Sequence, residues 1–362
     1  MNRSILAVMA FVVAGAISAF TGPANHDSLR VWPPITHGNL TIFPVVGGAD
    51  YDTSHFLTLD EGVRAGSVVV AEQGSIQGLV RRGTPVNRHS GAEVNQLVLV
   101  NNSDRPLLLL AGEIVTGGKQ DRVIGADRLV PPKSDPIDLS VFCVEPGRWV
   151  GQSEHFGSLK SQMAQPSVRV PAMAAKNQQQ VWNQVAAARD AARAQAGAPP
   201  SAAGSTSYAV TMAAPQVQEK IDSVAGNYDS ILRELRKSGA KGVVVAINGN
   251  LVWADLFASN DLLSRYWQKL ARSYAAESLT NVSAKGHADQ KSAQAFLDHL
   301  SGNREIIETE PGLYRRAEVT GDGYKVFTLT ALTAKTEFDV HVAKMTYDDE
   351  ARTRFRPGVM VR

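Results

Sequence analysis

Residues 242–257 read GVVVAINGNLVWADLF, and this stretch decides the fold class. Two apolar runs flank Asn248-Gly249, the dipeptide that a two-residue type I′ turn asks for because both positions need positive φ. The segment is therefore an antiparallel hairpin, with Ile247 opposite Asn250 and Val245 opposite Val252. Working outward, runs rich in β-branched and aromatic residues recur between turn residues. LTIFPVV (40–46), SVVVAE (67–72), NQLVLVN (95–101), RPLLLLA (105–111) and IDLSVFCVE (137–145) precede the hairpin, and YRRAEVTG, YKVFTLTAL and TEFDVHVAKM follow it.

Helices fall between these runs. TLDEGVRAG (58–66) has Thr58 and Glu61 at capping-box spacing and Gly66 to end it. Good helix formers fill 173–195, and a second helix covers 216–238, closing on basic residues and then a glycine. Between them, AGAPPSAAGSTS reads as a flexible surface loop, 196–208. A helix over 260–278 gathers Leu263, Tyr266, Trp267, Leu270 and Tyr274 on one face, and a short one follows near 288–300. Strands, then helices, then strands predict an α+β fold, mainly antiparallel β-sheet with several packed helices in one compact globular unit. A β-rich half (28–170), a helical segment (171–240) and an α+β half (241–362) make up that unit.

Ahead of it, residues 1–24 read as a signal peptide. Arg3 precedes an apolar stretch from Ile5 to Phe20, and small residues follow where a peptidase could cut. The stretch is short of the roughly 20 residues a spanning helix needs. An exported protein, periplasmic or secreted, is expected, with no stable membrane span after cleavage. The 37 basic and 35 acidic residues nearly cancel, which argues against a nucleic-acid partner. The 8 histidines lack HExxH or CxxC spacing, so no metal is signalled and no cofactor is expected.

Chemistry could sit in two places. GEIVTGGKQDR (112–122) leaves an apolar strand with a carboxylate, a lysine, a glutamine and an arginine. If Gly117-Gly118 is a two-residue turn, Thr116 faces Lys119, Val115 faces Gln120 and Glu113 faces Arg122. Glu113, Gln120 and Arg122 then share one face of the hairpin. Either this is a cross-strand ion pair on a solvated tip, or a carboxylate beside donors that suits a polar or anionic small molecule. In FCVEPGRWV (142–150), Pro146-Gly147 fits the centre of a type II turn flanked by Glu145 and Arg148, with Trp149 behind. The turn is either closed by its own ion pair or forms a pocket wall, with an arginine for an anion and an aromatic ring for stacking. Cys143 reads as a buried small hydrophobe. Arg265, Lys269 and Arg272 read as the solvated side of the 260–278 helix. Asp255 either caps the approach to that helix or faces a pocket.

Taken in order, GEIVTGGKQDRVI, the prolines at 131–132, CVEPGRW, QVWNQVA, STSY, VVVAINGNLVWADLF and YWQKLARSY resemble the ARPP-type domain, the ARG and rhodanese-phosphatase superfamily associated protein domain. The resemblance spans about residues 38–345. It implies association with ADP-ribosylglycohydrolase-like and phosphatase-like proteins rather than a reaction. The family's polar motif positions fall on Glu113, Lys119, Gln120, Arg122, Glu145, Arg148 and Asp255, and a histidine of its last strand matches His341. Gly117-Gly118 stands where the family often has a hydrophobic and a small residue.

Two functions of different class follow. One is a ligand-binding or hydrolytic site for a small polar or anionic molecule, a nucleotide-sugar or ADP-ribose-like compound. In it Glu113 or Glu145 is the general base, Lys119, Arg122 and Arg148 hold the anion, and Gln120, Trp149, Asp255 and His341 complete the site. The other is a non-catalytic envelope module that uses the same residues for its fold or a partner. With Cys143 the single cysteine, no intramolecular disulfide can form. A reductant is therefore expected to leave the thermal midpoint unchanged, and a fall of several degrees on reduction would contradict that.

Overall fold

The structure is a computed structural model that describes residues 28–72, 96–147, 153, 155–198, 205–280, 286–333 and 336–347. The apolar leader, Arg148, Trp149 and residues 199–204 of the loop expected at 196–208 lie outside the described residues. The fold is α+β, as the element order predicts. A large antiparallel sheet runs from Arg30–Val31 through Leu40–Val46, Gly242–Ile247, Asn250–Phe257, Glu337–Thr346, Tyr324–Leu332 and Tyr314–Gly321 to Asn303–Glu310. Beside it, six strands close into a barrel in the order Ile137–Cys143, Gln96–Asn101, Val68–Glu72, His155–Met163, Glu113–Thr116 and Arg122–Ile124. A small sheet joins Arg128–Val130, Leu107–Leu109 and Leu57–Thr58.

Strand alternation sets what lies where. In Gly242–Ile247 every residue is buried, because both faces of the large sheet are covered. Val243, Val245 and Ile247 face the core under the long helix Asn260–Thr280, while Val244 and Ala246 face the layer that includes Ala293 and Leu297 of the helix Gln290–Asp298. Inside the barrel, Val68, Val70, Leu97, Leu99, Val115, Ile124, Leu139, Val141 and Phe156 form a second core.

The hairpin turn has the expected conformation, with Asn248 at φ 50 and Gly249 at φ 73. Its register holds at Ile247–Asn250 but slips one residue further on. Ala246 faces Leu251 and Val245 faces Trp253, so Val252 is bulged rather than opposite Val245. The capping box on Leu59–Arg64 is complete, with Thr58 and Glu61 bonding each other's backbone N–H. Two helical expectations and one loop need correction. The helix expected over 216–238 is two, Pro215–Ala225 and Tyr228–Lys237, broken where Gly226 takes φ 69 and Asn227 caps the second. The one expected from 173 begins as a π-turn, Pro171–Ala175, before Gln178–Ala196. The end of the expected surface loop is not at the surface: Ser207 and Tyr208 are buried and begin the helix Tyr208–Met212.

The helix Asn260–Thr280 lies at the centre, touching barrel, large sheet and the other helices. Its expected apolar face is buried, but the basic stripe is not solvated. Lys269 is buried at 5% exposure, Arg265 pairs with Glu61, and Arg272 pairs with Asp222. Lys269 is buried and the two arginines are half-buried, and each cation has found a carboxylate.

A methyl group at Gly249 would sit 2.1 Å from the Gly286 carbonyl oxygen, and Gly286 N–H in turn donates to Asn248 O at 2.7 Å. Gly249→Val therefore adds a backbone collision to the cost of a β-branched residue at positive φ, and should cost about 2 kcal/mol or more. An unchanged denaturant midpoint would show that the turn relaxes freely.

Candidate functional site

The barrel carries a polar end. Val68 and Val70 point into it, so two residues on Glu72 does as well; likewise Arg122 follows the side of Ile124, and Cys143 that of Val141. Arg122 is fully buried there, with Glu72 Oε1 at 3.9 Å from Nη2 and the Gln120 carbonyl at 2.7 Å from Nη1. Burial pushes the Cys143 thiol up to about 11, so it is no thiolate nucleophile.

The loop between Glu113–Thr116 and Arg122–Ile124 roofs this end. It is wider than a two-residue turn: Val115 faces Arg122 and Ile114 faces Val123, which frees residues 116–121 from the ladder. The expected pairs Val115–Gln120, Thr116–Lys119 and Glu113–Arg122 therefore do not form. Asp121 instead folds back, accepting from Gly117 N–H at 3.1 Å and from the Ser207 hydroxyl at 3.0 Å. Gly117 and Gly118 take φ 131 and 50. A Cβ on Gly118 would meet the Phe156 ring at 2.3 Å and Glu72 Oε1 at 2.8 Å, so only glycine lets the backbone approach so closely. Lys119 N–H then donates to Glu72 Oε1 at 2.9 Å.

The turn after Cys143 meets the same roof. Gly147 has φ 93, as the type II reading requires, and buried Glu145 accepts from Asp121 N–H at 3.4 Å. Lys119, Gln120, Arg122 and Glu145 are thus brought together, and Glu72, Asp121 and Ser207 join them. Gln120, Asp121 and Arg122 are all buried, so a solvated hairpin tip is not what this loop is. Arg148 and Trp149 lie outside the described residues.

Glu113, Asp255 and His341 belong elsewhere. The Glu113 carboxylate is fully buried, 2.5 Å from Lys269 Nζ, and accepts from Leu110 N–H at 2.9 Å. Asp60 holds the other side of Lys269 at 2.9 Å. Burial is the largest influence on Lys269 and opposes its charge, yet the two carboxylates together hold its pKa above the ordinary value. Glu113 is thus the anchor of the central helix, not a base beside Arg122.

Asp255 neither caps the helix nor faces a pocket. It receives both ends of the Arg169 guanidinium at 3.1 and 3.2 Å, His341 Nε2 at 3.1 Å, and the Tyr274 hydroxyl. His341 Nδ1 lies 2.6 Å from Asp127, which also accepts from Ala111 N–H at 2.7 Å. Burial opposes the His341 charge, but Asp127 and Asp255 outweigh it and push the imidazole up to about 9. Burial likewise works against Asp255, and Arg169 and His341 overcome it, holding the carboxyl well below its usual range. Arg169 also stacks on Trp253, 4.2 Å from the ring centre.

The sequence reading missed Glu72, Asp127, Arg169 and Ser207. Two had a signal: Glu72 ends an apolar alternation with a charge, and Ser207 closes STS (205–207) just ahead of a helix. Among the described residues no group of three metal-ligating side chains is arranged for a metal ion.

A family model, ARPP-1, the ARG and Rhodanese-Phosphatase-superfamily-associated Protein domain, matches residues 28–345. The chain belongs to this family. No curated protein and no solved structure matches the chain. The matched span contains every described element of both the barrel end and the buried charge quartet, so in this ARPP-1 domain they are parts of one unit.

The raised pKa of His341 fixes a pH dependence for the ARPP-1 domain. Its stabilisation is complete below about 6.5, the unfolded value, and is lost as pH rises through the folded value of about 9. The denaturation midpoint should fall across that window by an amount equivalent to about 3 kcal/mol at most. His341→Gln should flatten this slope, and a slope that persists in the variant would assign it to other groups.

Proposed function

We propose that the protein is exported and that the polar end of its barrel binds a small ligand carrying both hydroxyl groups and a phosphate, of the nucleotide-sugar or ADP-ribose-like class. The observation that carries this reading is convergence. The loop 116–122, the turn at Glu145, the strand end at Glu72 and Ser207 are far apart in sequence, yet their polar groups meet at one end of a closed barrel. A barrel needs only apolar residues to close its end, and burying charges there costs stability that apolar packing would not.

The chemistry matches the ligand class. Lys119 and Arg122 supply cations for a phosphate, with Gln120 beside them. The carboxylates of Glu72, Asp121 and Glu145 are acceptors of the kind that sugar hydroxyls meet. Glu72 Oε2 is buried with no hydrogen-bond partner among the described residues, a cost that apolar packing would not carry. In a hydrolytic version Glu145 is the general base, because Glu113 is committed to Lys269. The amino-terminal Arg3 and the apolar run after it support export.

Calorimetric titration with ADP-ribose, UDP-glucose and inorganic phosphate tests the reading. The whole nucleotides should bind more tightly than phosphate, and Lys119→Ala should weaken them by about tenfold, one charge-assisted contact. Glu145→Gln should keep binding and lose any turnover. If no nucleotide binds the native protein, the non-catalytic interaction module is the reading that stands.

A further inference from the structure

The helix Gln178–Ala196 carries Arg189 and Arg193 one turn apart, on a face that meets the short helix Tyr208–Met212. Both guanidiniums converge on one atom. Arg189 Nε donates to Thr211 Oγ1 at 3.3 Å, and Arg193 Nη2 donates to the same oxygen at 2.8 Å. Arg189 Nη2 also donates to the Ser205 carbonyl at 2.8 Å, while the Thr211 hydroxyl gives its own proton to the Ser207 carbonyl at 3.1 Å. A shared acceptor keeps these two nitrogens within about 6 Å of each other, close enough for like charges to disfavour one another.

No acid answers them. Arg169, Arg265, Lys269 and Arg272 each meet a carboxylate, but among the described residues neither Arg189 nor Arg193 has an ion pair. Asp190, next to Arg189 in the chain, is exposed. Arg189 is only 9% exposed, so one of the two charges is largely out of water. Burial, and after it the Arg193 charge, lowers the Arg189 pKa from its ordinary value against the pull of Asp190. Such an arrangement is unfavourable by itself, and a bound anion would reverse its sign. The donors for one are in reach. Nη1 of both arginines and Nε of Arg193 bond nothing among the described residues, and none of them is a buried orphan atom, so each keeps accessible surface. Arg193 itself is half-buried, which opens the pair to solvent.

We propose that Arg189 and Arg193 form an anion site for a phosphate group, free or carried by a small phosphomonoester. A dianion cancels both charges, whereas a monocarboxylate leaves one in excess. The tetrahedral group also offers separate oxygens to two guanidinium forks, the geometry for which arginine is suited. Thr211 holds the two forks toward one point, and Ser205 fixes the more buried of them. Ser207 links this site to the barrel end, its carbonyl accepting from Thr211 and its hydroxyl donating to Asp121. The site uses none of Glu72, Lys119, Arg122 or Glu145, so it stands independently of the barrel-end reading.

The test uses the full chain labelled with 15N-arginine, the Nε–H signals of Arg189 and Arg193 being assigned through Arg189→Lys and Arg193→Lys. Inorganic phosphate should shift both signals saturably. Acetate, a monoanion, should bind about tenfold more weakly or worse. Phosphate binding should tighten as pH rises through its second ionisation, the arginines staying charged throughout. Arg193→Gln should weaken phosphate about tenfold, and shifts that survive Lys119→Ala separate this site from the barrel end. Glycerol 3-phosphate binding as well as phosphate assigns the site to a phosphomonoester, and binding of inorganic phosphate alone assigns it to the free ion. Arginine signals that phosphate leaves in place overturn the proposal. So does equal binding of phosphate and acetate, a comparison within the native protein that stands even if Arg193→Gln does not fold. Undiminished phosphate binding by a folded Arg193→Gln would overturn it as well.

Discussion

Asp255 with its bidentate Arg169 is the contact on which the rest of the architecture depends. Asp255 and His341 are neighbours on adjacent strands of the large sheet, Arg169 enters from the helical segment, and Asp127 reaches across from the loop that leaves the barrel. Two anions and two cations from three layers neutralise one another, with Arg169, Asp255 and His341 fully buried and Asp127 nearly so. Removing any one would strand a charge in the core, at a cost of about 3–5 kcal/mol, so the layers are held in one relative placement. Gly112 records how tight that placement is: a Cβ there would lie 2.8 Å from the Arg169 side chain.

The same strand pair of the barrel serves two ends. Toward Arg122 and Cys143 it borders charged groups under a glycine loop; toward Gly125 and Ser140 it borders an apolar cavity. Because strand side chains alternate, one short ladder supplies both environments while its middle stays packed. The two ends differ chemically, one dense in carboxylates and cations, the other bordered mainly by apolar side chains.

What could be read beforehand followed locality. The Asn248-Gly249 turn, the Thr58–Glu61 box and the apolar face of the central helix rest on neighbours in the chain, and all are present. The α+β class followed from their order. Barrel closure was not legible, since nothing in Glu113–Thr116 names His155–Met163 as its partner. The Gly117-Gly118 pair was read as a whole turn because its dipeptide fits one; Asp121 folding back onto Gly117 N–H overrode that preference. The stripe Arg265, Lys269 and Arg272 looked solvated because periodicity reports a polar face but not what covers it. Lys269 had partners in Asp60 and Glu113, both remote in sequence.

The large sheet also constrains how the chain can be built. Leu40–Val46 pairs on one side with Arg30–Val31, but its other edge is completed by Gly242–Ile247, roughly two hundred residues later, a highly non-local pairing that delays folding. Emerging from its amino end, the chain therefore carries an apolar strand with one open edge until most of the remainder has followed. Pro44 sits in the middle of that strand, opposite Val243. Its carbonyl accepts from Trp32 N–H at 2.8 Å, so the place without an N–H lies on the side already covered by the amino-terminal residues, and Thr41, Phe43 and Val45 keep their N–H groups for Gly242–Ile247. The proline is thus tolerated because it leaves the late pairing intact: the edge that waits for Gly242–Ile247 is the regular one.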